Sequence, residues 1–163
     1  MKKIGLLSDT HGYLDPAVFT HFADCDEVWH AGDFGSEVSE PLQAFKPFRA
    51  VYGNIDGRDI RAEYPEHAKF TIENVSVWMT HIGGYPGKYN PALRAELFAE
   101  RPQLFIAGHS HILKVMYDEK LGCLHLNPGA AGKHGWHKVR TMLRFCISEG
   151  KIHTLEAIEL GAR

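Results

Sequence analysis

Short apolar runs that each break off into a polar, mostly glycine-bearing loop with Asp, Asn or His recur along this chain, and nothing else in it constrains the fold as much. Residues 4–7 run into Ser8-Asp9-Thr10-His11-Gly12, residues 27–31 into Gly32-Asp33, and residues 49–52 into Gly53-Asn54-Ile55-Asp56. Residues 75–80 run into His81, and residues 104–107 into Gly108-His109-Ser110-His111. Apolar stretches this short, bounded by turn-forming residues, read as buried strands. Helix signals separate the first three. Asp15 before Pro16 opens a helix to about Ala23, and Ser36 with Glu40 nearby starts another. Strand, polar loop, helix and strand again is the pattern of βαβ units around a parallel sheet.

The rest of the chain is more antiparallel. Residues 68–72 and 75–80 flank a Glu73-Asn74 turn, residues 115–117 and 123–126 a Gly122 turn, and residues 142–147 and 152–158 a Glu149-Gly150 turn. Asn90-Pro91 opens a helix to about Ala99. An α/β fold with two sheets and helices outside follows. At 163 residues, with no repeat or linker, the expectation is one domain over 1–163. A composition of 44% hydrophobic and 23% charged residues excludes the disordered class. Eighteen basic against 20 acidic residues leave no basic field for a stable nucleic-acid complex. Cys25, Cys123 and Cys146 are isolated in apolar contexts and read as buried thiols of a reducing compartment. The first apolar stretch stops at Ser8, and no 18-residue apolar run occurs, so a cytoplasmic protein off the membrane is expected.

In open α/β sheets, ligands bind outside the carboxyl ends of the strands. The residues collected there are Asp9, His11, Asp33, Asn54, His81, His109 and His111. Two carboxylates, an amide and four imidazoles without a thiolate suit two divalent metals, with Mn2+, Fe or Zn2+ favoured over soft copper. An extended segment turns residues i and i+2 to one side, so Asp9 with His11, and His109 with His111, are each expected to reach one ion. The other histidines read differently. His30 is expected to pack in the interior or support the ligands and not to bind metal itself, since Asp33 already occupies that strand end, and His21, His67 and His153 to lie at the surface. His125, between Leu124 and Leu126, is either solvent-facing or a support for the ligands. Trp29, Trp78 and the phenylalanines read as core. Residues 129–140 are glycine-rich and carry Lys133, His134, His137, Lys138 and Arg140. Either they form a solvated surface loop, or His134 and His137 clamp a phosphate or supply an acid. The spacing Gly-x-x-x-x-Gly-Lys-Ser/Thr of a P-loop is absent.

In this order, Asp9-Thr10-His11, Gly32-Asp33, Gly53-Asn54-Ile55-Asp56, His81 and Gly108-His109-Ser110-His111 resemble the five blocks of the calcineurin-like metallophosphoesterases. Asn127-Pro128-Gly129 and the short length resemble the small phosphodiesterase subfamily of bacteria and archaea. The resemblance implies a four-layer αββα sandwich with two mixed β-sheets. It implies one metal on Asp9, His11, Asp33 and His111, and a second on Asp33, Asn54, His81 and His109. It implies catalytic roles for Asp33, Asn54 and His109, through the metal-bound hydroxide and the phosphate, with Asp56 in support. The expected cofactors are two divalent ions, Mn2+ first, with Fe, Zn2+, Ni2+ or Mg2+ as alternatives. The expected activity is hydrolysis of a small phosphate ester, a phosphodiester above all, by in-line attack of the bridging hydroxide. Two such ions, two carboxylates and one hydroxide leave about one net positive charge, which matches a diester monoanion. Many relatives carry histidine where this chain has Ile55, which removes a general acid. A phosphomonoesterase or nuclease with the same core, a non-catalytic scaffold of this fold, and a homo-oligomer are the alternatives.

Overall fold

The computed structural model describes all residues 1–163. The elements run β1 (Lys2–Leu7), α1 (Ala17–His21), β2 (Glu27–His30), α2 (Ser36–Phe45), β3 (Phe48–Ala50), α3 (Arg58–Glu63), β4 (His67–Ile72), β5 (Val75–Thr80), β6 (Gly84–Tyr85) and β7 (Lys88–Tyr89). They continue with α4 (Pro91–Glu100), β8 (Leu104–Ile106), β9 (Leu113–Asp118), β10 (Cys123–Pro128), β11 (Val139–Ser148) and β12 (Lys151–Ala162). One sheet has the order β12-β11-β1-β2-β3, the other β4-β5-β8-β10-β9. In the first, β1, β2 and β3 are parallel and β11 and β12 antiparallel. In the second, β5, β8 and β10 are parallel, with β4 and β9 as antiparallel edges. Both sheets are therefore mixed, and the architecture is the expected α/β sandwich of four layers.

Side-chain alternation along each strand makes the layers. Ile4 and Leu6 of β1, Val75, Val77 and Met79 of β5, and Leu104 and Ile106 of β8 fill one cluster between the sheets with Trp29 and Phe145. The alternate residues face outward. Leu7 and Val28 meet Val38 and Leu42, one turn apart on α2, while Trp78 and Phe105 meet Leu93 and Leu97 of α4. Strands buried on both faces need continuous apolar runs, which is why those runs stand out in the sequence. The Glu73-Asn74 and Glu149-Gly150 pairs all have positive φ, as two-residue hairpin turns require. Asn90 caps α4, its side chain accepting from the Ala92 N–H at 3.0 Å, with Pro91 in the first turn.

Several elements differ from the sequence reading. The helix α1 ends at His21, and β3 ends at Ala50, two residues before Tyr52. Helix α3 and the β6–β7 hairpin have no counterpart in it, being too short to show a period. His21, His67 and His153 lie at the surface but are half-buried there. His67 Nδ1 accepts from the Trp78 indole at 3.3 Å, and His153 Nε2 lies 2.9 Å from Ser148 Oγ. All three cysteines are buried. No helix is long and apolar enough to cross a membrane.

Candidate metal centre

The carboxyl ends of β1, β2, β3, β5 and β8 open at one end of the sandwich, and the seven collected side chains meet there. The first sheet brings Asp9, His11, Asp33 and Asn54; the second brings His81, His109 and His111. Donor atoms fall into two groups, Asp9 with His11 and His111, and Asp33 with His81 and His109. Asp9 Oδ1 lies 3.2 Å from His111 Nε2 and 3.7 Å from His81 Nε2, while Asp33 Oδ2 lies 3.0 Å from His81 Nε2 and 3.7 Å from His11 Nε2. Asn54 Oδ1 is 3.0 Å from His109 Nδ1.

The two carboxylates are mounted alike. Asp9 Oδ2 accepts from Ser8 Oγ at 2.7 Å and the His109 N–H at 3.0 Å, which leaves Oδ1 toward the imidazoles. Asp33 Oδ1 accepts from the Ile55 N–H at 3.0 Å, which leaves Oδ2 toward His11 and His81. The His81 Nδ1–H donates to the Ala31 carbonyl at 2.7 Å, so its Nε2 lone pair faces the carboxylates when the ring is neutral. Asp9 Oδ1, His11 Nε2 and His81 Nε2 are buried and have no hydrogen-bond partner in the protein. Leaving three converging polar atoms unsatisfied is costly unless something charged completes them. Two donors each about 2.1 Å from one ion at right angles lie about 3 Å apart, close to the shortest separations here. The residues fit a pair of divalent cations.

Electrostatics agree. Burial pushes the Asp9 and Asp33 carboxyls up, but the imidazoles around them, with Ser8 and the Ile55 N–H, hold both below the usual carboxylate range. Burial holds the His11 and His109 imidazoles below their ordinary value, which favours the neutral, ligating form. His81 goes the other way. Burial lowers it, and the Asp33 contact and Asp9 charge more than offset this.

The backbone corrects the reasoning for the two i, i+2 pairs. Asp9, His11, Asp33, His109 and His111 all have positive φ, between 46° and 71°. The pairs converge through left-handed kinks and not through an extended pleat. Asp and His are among the few non-glycine residues that adopt this region with some frequency, and each still costs on the order of 1–2 kcal/mol. Glycines make room for the kinks. A Cβ at Gly53 would collide with Asp33 Oδ1, and one at Gly135, where φ is +131°, with the His111 ring.

Supporting residues complete the frame. Asp56 accepts three backbone N–H groups, from Asp33 and Phe34 at 2.9 Å each and from Gly53 at 2.7 Å. Its carboxylate is thereby spent on tying the Asp33 loop to the Asn54 loop. His30 is fully buried, its Nε2 3.0 Å from Thr10 Oγ1 and its Nδ1 accepting from Gly32, and burial lowers its pKa to about 3. His125 is buried rather than solvent-facing, and its Nδ1 lies 3.2 Å from the Phe105 carbonyl. Two supports escape the sequence reading. Arg61 donates to the carbonyl of Asp56 at 2.6 Å and approaches those of Gly53 and Asn54. Asn127 donates to the Gly108 carbonyl and Ser110 Oγ, both at 3.1 Å. Only the Asn127-Pro128-Gly129 segment offered a signal for either.

A cleft of about 480 Å³ rises from the centre, with His11, Asp33, Asn54, His109 and His111 on its floor. The loop over residues 129–140 forms one wall. The His134 ring lies 4.8 Å from that of His11, and the His137 ring 5.3 Å from that of His111. His137 Nε2 also lies 2.7 Å from the Gly132 carbonyl.

Comparison with known proteins agrees with this geometry. Residues 1–150 match the calcineurin-like phosphoesterase superfamily domain. A probable metallophosphoesterase of Methanothermobacter thermautotrophicus is 33% identical over 135 residues, 78% of this chain and 76% of that one. Among solved structures, a novel archaeal phosphodiesterase superposes with a TM-score of 0.76 at 23% identity, over 97% of this chain and 99% of the other. Wild-type Vps29 complexed with Zn2+ from Entamoeba histolytica gives 0.71 at 19%, over 96% and 98%. These two likenesses are of fold. Matched to the family's domain over most of its length, and sharing a third of its aligned residues with a curated relative, the chain belongs to the calcineurin-like phosphoesterase superfamily.

Proposed function

We propose that this chain is a dinuclear-metal phosphodiesterase. The observation that carries the reading is the matched mounting of Asp9 and Asp33, each with one oxygen anchored and the other turned to unsatisfied imidazoles. Asp9, His11, Asp33 and His111 would hold one ion and Asp33, Asn54, His81 and His109 the other, Asp33 being shared. When bound, the ions supply Lewis-acid charge at the phosphoryl oxygens and lower the pKa of a water for in-line attack on phosphorus. Mn2+ is the first candidate, since the set mixes carboxylate, amide and imidazole without thiolate.

The chain's own residues favour a diester. Only two carboxylates contribute charge, because Asn54 is neutral, so the loaded centre stays positive. No Lys or Arg lines the cleft above it, which leaves a monoanion better matched than a dianionic monoester. Ile55 offers no proton to a leaving group. His134 and His137 are the imidazole side chains of the loop wall, and they stand on the side of His11 and His111.

The test is turnover of bis(p-nitrophenyl) phosphate against p-nitrophenyl phosphate with Mn2+, alongside metal content. The diester is expected to turn over faster, and aryl diesters far faster than alkyl ones. Asp33→Asn is expected to lose both ions and nearly all activity; two retained ions would refute the shared ligand. Preference for the monoester would turn the reading to a phosphomonoesterase. No turnover of any phosphate ester by the loaded protein would favour the scaffold, a reading that the exposed apolar strand β9, with Val115, Met116 and Tyr117, supports.

A further inference from the structure

Tryptophan is the side chain that folding buries most profitably, yet Trp136 is 99% exposed, whereas Trp29 and Trp78 are buried. A lone exposed hydrophobe needs no explanation. Trp136 is not alone. It shares the cleft above the metal centre with Ile55 and Ile112, which are 53% and 62% exposed. Three large apolar side chains thus stand in solvent around a floor of metal-ligand chemistry.

Each of the three is tied through the backbone to the frame of the site. The Ile55 N–H donates to Asp33 Oδ1 at 3.0 Å, and the Ile112 N–H to Ser110 Oγ at 3.2 Å, between His109 and His111. Trp136 stands between two fixed points. The Gly135 carbonyl accepts from Arg163 where the loop crosses His111, and the His137 ring contacts the Gly132 carbonyl. The backbone at Trp136 is therefore held beside the cleft while its ring remains uncovered. This arrangement has the chemistry of a stacking platform, in which an aromatic face and aliphatic walls take a flat ring and a polar centre takes the phosphate.

We propose that Trp136, with Ile55 and Ile112, binds the planar aromatic ester group of the substrate, an aryl ring or a nucleobase, while the phosphate sits on the metal centre. The proposal rests on the phosphodiesterase reading and gives it a substrate class. For an aryl ester it also suits Ile55 in place of a proton donor, because an aryl oxygen leaves with less help than the alkyl oxygen of a nucleotide's ribose.

Two buried tryptophans and one exposed make the test direct, since long-wavelength indole emission belongs to Trp136. Zinc-loaded protein is titrated with adenosine monophosphate, phenyl phosphate and methyl phosphate. The two ringed esters are expected to change that emission and to bind about tenfold more tightly than methyl phosphate. Trp136→Ala is expected to abolish this preference and Trp136→Phe to keep most of it. Tighter binding of the nucleotide would assign the platform to a nucleobase, and tighter binding of phenyl phosphate to a simple aryl group. Equal binding of all three phosphates would overturn the platform and leave the phosphoesterase reading intact. Binding of none would overturn the platform alone where bis(p-nitrophenyl) phosphate is still turned over, and both readings where it is not. Equal binding together with self-association lost in Trp136→Ala would reassign the indole to a protein contact.

Discussion

Five of the seven candidate ligands sit in left-handed backbone, and this sets the trade between stability and function at single residues. His109, with φ of 71°, is the cleanest place to measure it, because its side chain is exposed and contributes little packing. His109→Gly is expected to raise metal-free stability by about 1 kcal/mol, or about 2–4 °C in a chain of this size, while lowering turnover sharply. Thermal melts of the metal-free proteins check the first part and diester assays the second. A lower melting temperature would show that the ring's contacts with Asn54 and His81 outweigh the strain. Which residues would meet was legible in the sequence, because ligand chemistry is written in residue type. How they meet was not, because Asp-x-His has the same letters in an extended strand and in a kink. The glycines beside them hinted at it, since Gly53 and Gly135 are needed where backbone passes a ligand closely.

At the scale of elements, the strands and α4 were readable because continuous apolar runs, a capping Asn and turn pairs each have a local physical cause. Helix α3 was not. It has six residues, no side-chain cap and one buried residue, Ile60. Yet α3 carries Arg61, which grips the carbonyls of the loop that presents Asn54, with its guanidinium 4.5 Å from the Tyr52 ring centre. The same loop is tied to the neighbouring one by Asp56. Asp56→Asn replaces one accepting oxygen with an amide that faces a backbone N–H, and removes the charge from three bonds. Metal affinity is expected to fall about 10–100-fold with the fold retained. Calorimetric titration of the variant with Mn2+ checks this, and an unchanged affinity would show that the loops hold together without the carboxylate.

On the scale of the whole molecule, both sheets contribute to one end, and each also hides a neutral histidine. Burial lowers His125 from 6.5 to about 4, so the sign of its effect on stability follows from which state takes up the proton. Between those values the unfolded chain binds a proton that the folded chain refuses, and stability falls as pH drops from 6.5 toward 4. The loss is about 1.4 kcal/mol per pH unit, or about 3 kcal/mol over the window, and it saturates below. In urea denaturation at several pH values, His125→Leu is expected to show a shallower acid limb by about that slope. An identical slope would mean that His125 is protonated in the fold without cost. His30, buried at the other sheet's edge of the centre, acts in the same direction. Neither effect was legible beforehand, because burial belongs to the assembled sandwich.

The left-handed candidate ligands concentrate backbone strain in one place. Elsewhere in the chain, positive φ at non-glycine residues is confined to Glu73, Asn74, Arg101, Glu149 and Thr154, at turns, a helix end and an irregular strand pairing. Glycine at Asp9, His11, Asp33, His109 or His111 would relieve the backbone of a protein that used this fold only as a shape. With their side chains in place, the five positions store folding energy as backbone strain at the one end of the sandwich where both sheets gather carboxylates and imidazoles.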